Sequence, residues 1–318
     1  MLNNQLLIHI GYPKTASTWL QQGIFKDEKM GFFSPWRGHW SDSIAVDQFI
    51  TVNSFSFSAE NAYAAFENGL KEGEKKHLCT VLSQEMLSCN FMDQSGYWGK
   101  EVAQRLHQVF PKAKILIVIR EQKSMIFSAY GHYIRKGGRH SIEQLISTKN
   151  IKSGLYPLLR LYCLEYHYLI NYYYNLFGEN QVLVLPFELL KKDKNLYLQK
   201  ICQFVGIENQ SFDNIPSKET NVNYKAATLA IHRKINNFIL FQDKRLISSS
   251  NSWRWIIIWK ILRLLDNTLP EELQNKAKSQ IKDFIQEYTE NMFVESNQKT
   301  SELININLRD FGYDLMDK

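Results

Sequence analysis

The chain contains no uninterrupted apolar stretch of the roughly 18 residues that a membrane-spanning helix needs, which excludes that kind of anchor. Met1-Leu2-Asn3-Asn4 carries no basic residue ahead of the first apolar run, so no secretory leader is expected. There are only four cysteines, Cys79, Cys89, Cys163 and Cys202. None forms a C-x-x-C pair and no His/Cys group has zinc spacing, so no metal site is expected. Cys79 and Cys163 sit in apolar runs and read as buried thiols of a reducing, cytoplasmic setting. No basic tract of the kind that binds nucleic acid occurs, and there is no internal repeat or low-complexity run.

The charges that are present sum to a modest excess, 38 Lys and Arg against 32 Asp and Glu, or +6. That balance suits a small polyanion such as a nucleotide with several phosphate charges. A hydrophobic content of 44% over 318 residues fits one globular domain, with a core over 6–215 and a helical C-terminal elaboration over 216–318. The Asn/Lys/Ile-rich composition is compatible with a bacterial source. Apolar runs near 6–10, 78–83, 115–120 and 182–187 read as strands, and helical segments alternate with them. This pattern predicts an α/β fold, a central parallel sheet flanked by helices, with ligands at the carboxyl ends of the strands. Residues 31–76 have a mixed pattern and include Trp36, His39, Trp40, Phe49 and Phe55. They read as an excursion over the site, where a second substrate would be contacted.

The richest local signal is Leu6-Leu7-Ile8-His9-Ile10-Gly11-Tyr12-Pro13-Lys14-Thr15-Ala16-Ser17-Thr18-Trp19-Leu20. It reads as a buried strand, a tight loop and a helix start, where backbone N–H groups and the helix dipole favour an anion. Lys14 adds a mobile cation, and Thr15, Ser17 and Thr18 add hydroxyl donors. The loop is not G-x-x-x-x-G-K-[ST], because no glycine immediately precedes Lys14. A second signal is the apolar run Lys114–Ile119, which ends in Arg120 with Ser128 eight residues later. An arginine fork takes phosphate oxygens bidentately, and a serine about two helical turns on adds a donor.

Tyr12-Pro13-Lys14-Thr15-Ala16-Ser17-Thr18-Trp19 resembles the 5′-phosphosulfate loop of sulfotransferases, close to Y-P-K-[ST]-[GA]-[ST]-T-W. Arg120 with Ser128 resembles the same family's 3′-phosphate site. The helix 162–177, Phe177-Gly178 and the strand running into Phe187-Glu188-Leu189-Leu190 resemble a third family region, with Phe187 where tyrosine is usual. The resemblance spans about residues 6–210. It implies a P-loop-like sulfotransferase fold and the donor 3′-phosphoadenosine 5′-phosphosulfate, with no metal. Lys14 would stabilise charge on the leaving phosphate, and Thr15, Ala16, Ser17 and Thr18 would hold the 5′-phosphate. Trp19 would stack on adenine or serve as core. Arg120 and Ser128 would bind the 3′-phosphate. The family places its general base just after the second of these strands, which here is Glu85, with His132 as the alternative and His39 as an outside candidate. Ser83 stands where the family has lysine, and Ala16 where it usually has glycine, so a re-shaped loop is expected at Ala16.

The acceptor expected is a hydroxyl of a small natural product or of a carbohydrate. The competing readings are a kinase with an atypical phosphate loop and a non-catalytic nucleotide-binding module. Lys218 and Lys225 are weak candidates for a basic cover over the nucleotide. Residues 253–265 form a basic, aromatic stretch, read either as a helix packed on the core or on a second copy, or as a lid or a weak membrane-surface contact. The oligomeric state is open.

Overall fold

The computed structural model describes residues 6–36, 43–88, 99–147, 159–208, 212, 224–242 and 253–316. In chain order the regular elements are β1 (Leu6–His9), α1 (Ser17–Trp19), β2 (Phe32–Phe33), α2 (Ile44–Val46), α3 (Ala59–Lys76), β3 (Cys79–Ser83), α4 (Gly99–Val109), β4 (Lys114–Ile119) and α5 (Gln122–Arg135). Then follow α6 (Ile142–Ile146), α7 (Tyr166–Phe177), β5 (Val182–Pro186), α8 (Phe187–Lys192), α9 (Lys194–Phe204), α10 (Ala226–Gln242), α11 (Trp253–Thr268), α12 (Glu271–Tyr288) and α13 (Val294–Ile304). The chain divides into two compact units, residues 1–121, 161–220 and 293–318, and residues 122–160 and 221–292.

The first unit holds a parallel five-stranded sheet in the order β2-β3-β1-β4-β5. Ile115 to Ile119 of β4 have no exposed surface, as expected of a strand covered on both faces. Leu7, Val81, Leu116, Val118 and Leu185 face a core completed by Leu20, Ile24, Tyr197, Leu198 and Ile201. The alternate residues Ile8, Ile115 and Ile117 are buried on the other face, where α7 meets β4 and packs on α4. Cys79, Cys163 and Cys202 are buried free thiols, whereas Cys89 lies outside the described residues.

The mixed segment 31–76 contains the edge strand β2 and the 18-residue helix α3. Glycines break the helical pattern of α3 in the sequence, and packing explains them. A Cβ on Gly69 would lie 2.8 Å from the Trp36 ring, and one on Gly73 1.9 Å from Thr80 Oγ1. Arg105 of α4 is almost fully buried and ties down residues 49–54. It donates to Phe49 O at 2.9 Å, Ser54 Oγ at 3.2 Å and Glu101 Oε1 at 2.7 Å. His39 lies outside the described residues.

The second unit is helical. α10 packs on α5, α11 and α12. Asn236 Nδ2 donates to Ile134 O and Gly138 O, both at 2.8 Å, which satisfies carbonyls at the end of α5. Gln274 of α12 bridges Thr228 Oγ1 at 3.2 Å and the Ala227 amide at 2.9 Å. Asp266 of α11 accepts from the Lys225 amide at 2.7 Å, and Lys218 lies outside the described residues. α11 meets α10 through one apolar strip, with Leu262 buried and Ile258 and Leu265 partly covered. Of its described side chains only Leu262 is fully buried, and the rest of the helix surface is exposed or partly covered.

Two buried histidines set an acid limit. Burial lowers His9 in the first unit from 6.5 to about 3, and His232 in the second from 6.5 to about 4. Unfolding lets both rings take up protons that the folded chain refuses, so stability falls as pH drops below 6.5. Each unit of difference corresponds to about 1.4 kcal/mol. The thermal midpoint is expected to fall steadily from pH 6.5 towards 4, and His232→Leu to flatten part of that slope. A profile unchanged by the substitution would contradict this account.

Candidate active site

The site grows out of the place where the chain leaves β1. Pairing with β4 continues past the strand, through Ile10 N to Leu116 O at 3.0 Å and Tyr12 N to Val118 O at 3.2 Å. On the other side Gln84 N donates to His9 O at 3.0 Å. The backbone is therefore held by both neighbours up to the loop. From β1 the chain crosses to β2 and β3 on one side, and later to β4 and β5 on the other. The loops after β1 and β4 thus open at a switch point of the sheet, the usual crevice for a ligand.

Two left-handed residues, Lys14 with φ 71° and Ala16 with φ 63°, fold the loop tightly. Such turns gather backbone N–H groups on one side and make a concavity for an anion. Thr15 is fully buried, and its Oγ1 donates to Tyr12 O at 2.5 Å. Ala16 is the N-cap of α1 and brings no capping side chain. Ser17 Oγ is buried without a hydrogen-bond partner among the described residues. An orphaned hydroxyl at an uncapped helix start fits an anionic oxygen, because an unmet buried polar group is costly. After Trp19 the helix widens into a π turn over Leu20–Ile24. Such turns recur at functional sites. Ala16 adopts the left-handed geometry that a glycine would take freely.

Arg120 joins this loop to the end of β4. Its Nη1 donates to Lys14 O at 2.8 Å, and its guanidinium lies 4.9 Å over the Phe187 ring. Tyr166 OH donates to Arg120 O at 2.6 Å, and its ring meets Tyr12 edge-on at 4.8 Å. Glu188 accepts from the Glu121 amide at 3.1 Å and from Tyr313 OH at 3.2 Å. Burial lowers the Arg120 pKa, and the nearby Glu188 carboxylate opposes that fall. Burial also raises the Glu188 carboxyl above its usual range. The missing tyrosine hydroxyl at 187 leaves an aromatic face that carries a cation.

On the β3 side, Gln21 Nε2 donates to Glu85 Oε2 at 3.1 Å and to Ser83 O at 3.3 Å. Gln21 belongs to the helix that follows the anion loop, so one side chain links Glu85 to the loop element. Ser83 Oγ pairs with His9 Nδ1 at 2.7 Å. His9 Nε2 is buried and unpartnered among the described residues, and a Cβ on Gly11 would lie 2.6 Å from it. Glycine at 11 is what lets this ring sit against the start of the loop.

The structure thus gathers Lys14, Thr15, Ala16, Ser17 and Thr18 in one loop, with Arg120 bonded to it and Glu85 one side chain away. Trp19 is half-buried and packs against the main core, as does Phe187. Ser128 is buried on α5, and His132 lies half-buried one turn later on the same helix, both in the second unit. Gln21, His9, Tyr166 and Tyr313 have no motif spacing in the sequence. Glu188 stood inside the strand-end pattern, while His9 and Tyr166 lay inside recognised segments with no role of their own to mark them.

The sulfotransferase-domain family model matches residues 4–293. No curated protein matches by sequence. Similar solved structures include a sulfotransferase from Alicyclobacillus acidocaldarius, at 20% identity and TM-score 0.48, covering 76% of this chain and 98% of that one. The mouse sulfotransferase SULT7A1 complexed with PAP is 15% identical with TM-score 0.36, covering 90% and 89%. The sulfotransferase domain from the curacin biosynthetic pathway is 15% identical with TM-score 0.36, covering 65% and 75%.

The left-handed alanine makes a local test. A non-glycine residue in that region costs on the order of 1 kcal/mol. Ala16→Gly is therefore expected to raise stability in urea titration by up to about 1 kcal/mol. Ala16→Val is expected to lower it, and a destabilising Ala16→Gly would show that the turn holds no strain.

Proposed function

The chain belongs to the sulfotransferase family, and we propose that it moves the sulfuryl group of 3′-phosphoadenosine 5′-phosphosulfate onto a hydroxyl of a small natural product or of a carbohydrate. The observation that carries this reading is the 2.8 Å bond from Arg120 to the Lys14 carbonyl. It fastens an arginine fork to the anion loop at the ends of adjacent strands, as a ligand with two separate phosphate groups requires. A kinase would be expected to end such a strand in a metal-binding aspartate, whereas Arg120 follows β4 here.

In this reading Thr18, the orphaned Ser17 hydroxyl and the loop amides hold the 5′-phosphate. Lys14 stabilises the charge that grows on the leaving phosphate oxygen. Arg120 and Ser128 take the 3′-phosphate. Glu85, oriented by Gln21, accepts the proton of the acceptor hydroxyl as its oxygen forms the bond to sulfur and the bond from sulfur to phosphate breaks. Ser83 keeps its hydroxyl turned to His9, so the lysine of the family pattern has no cationic substitute at this position. Among the described residues no His/Cys/Asp/Glu group fit to hold a metal occurs, and no helix is long and apolar enough to cross a membrane. The buried free thiols support a reducing, cytoplasmic setting.

Calorimetry with 3′-phosphoadenosine 5′-phosphate and with ADP tests the donor. The 3′-phosphate ligand is expected to bind more tightly. Arg120→Ala is expected to weaken it by roughly 10- to 100-fold, and to weaken ADP less, since ADP loses only the loop's brace. Equal affinity for the two ligands would sink the reading.

Glu85→Gln keeps shape and removes the basic charge. It is expected to lower kcat by about 10²-fold or more with donor affinity intact. Full activity in that variant would transfer the base to another residue, with His132→Asn as the next comparison.

A further inference from the structure

We propose that α11 docks on the surface of an anionic lipid bilayer, lying in its interface without crossing it. The helix exposes Ile257 at 46%, Ile261 at 49% and Leu264 at 63%. These residues recur at the spacing of one helical face and form a continuous apolar ridge. Ile256 and Trp259 add two more large apolar side chains, about half-exposed. Lys260 and Arg263 are both exposed and run beside the ridge.

Charge decides between occupants. Residues 253–265 contain Arg254, Lys260 and Arg263 and no acidic residue. Asp266, just beyond, is used to accept the Lys225 amide. A two-fold dimer through this face would bring like patches together, cations toward cations, with no carboxylate of the stretch to pair them. A bilayer with anionic headgroups meets both chemistries at once. Isoleucine and leucine enter the acyl boundary, while the long basic side chains reach back to phosphates. Three tryptophans occur within residues 253–259, and this residue type prefers the membrane–water interface. Sixteen residues of helix extend about 24 Å, short of the roughly 30 Å hydrocarbon layer, so the helix lies on the surface.

Flotation of the full chain with phosphatidylserine–phosphatidylcholine vesicles, beside pure phosphatidylcholine, tests the proposal. Binding is expected with the anionic vesicles, weaker binding with neutral ones, and loss as salt rises. Lys260→Glu with Arg263→Glu is expected to lower partitioning at least about tenfold, and Ile257→Ser with Leu264→Ser similarly. Thermal midpoint and binding of 3′-phosphoadenosine 5′-phosphate, read on the same variants, are expected to stay at the wild-type values. This separates surface docking from fold and from the donor site. No binding to either vesicle, or binding indifferent to both double variants, overturns the proposal. So does sedimentation showing a dimer that the serine variants dissociate, which would give the face to a second copy.

Discussion

The active site depends on the seam between β1 and β4. Backbone pairing carries on past the end of β1, through Ile10 and Tyr12, and stops only where the anion loop begins. A loop that starts from a fully bonded backbone has little freedom in where it points. The seam closes at its top with Arg120, whose guanidinium takes the Lys14 carbonyl. One residue thereby serves the loop's shape and presents positive charge beside it. The arginine itself is held from three directions, by the Phe187 face, by Tyr166 through its own carbonyl, and by the field of Glu188.

The opposite side of β1 is tied by smaller forces. His9 and Ser83 face each other across paired strands, at the register the sheet dictates. Gln21 reaches from the helix to Ser83 and Glu85. Displacement of the helix start would therefore move the Glu85 carboxylate with it. Buried neutral imidazole suits this position, because a charged ring between β1 and β3 would lack a counter-ion and would oppose burial.

Strands, loop and strand-end arginine were legible in the sequence because they rest on local rules. Continuous apolar runs made β1, β3, β4 and β5 readable, and hydroxyls around Lys14 marked the loop. α3 was not legible, since Gly69 and Gly73 answer to Trp36 and Thr80, which only the fold brings near. The same holds for Gln21, His9, Tyr166 and Tyr313, whose partners lie far away in sequence. α11 was legible as a helix but not in its packing. Its apolar residues spread around most of the cylinder, so periodicity alone gave no direction for its buried side.

The Tyr313 hydroxyl bonded to Glu188 bears on biosynthesis. Glu188 holds the amide next to Arg120, and the two partners are separated by 125 positions. A growing chain emerges with its anion loop and its arginine long before this tyrosine leaves the ribosome. Until then a half-buried carboxylate beside the arginine lacks the hydroxyl among its donors. The electrostatic balance beside Arg120 is therefore completed late in the chain's emergence, and a chain arrested before residue 313 carries the loop and the arginine with an unfinished support.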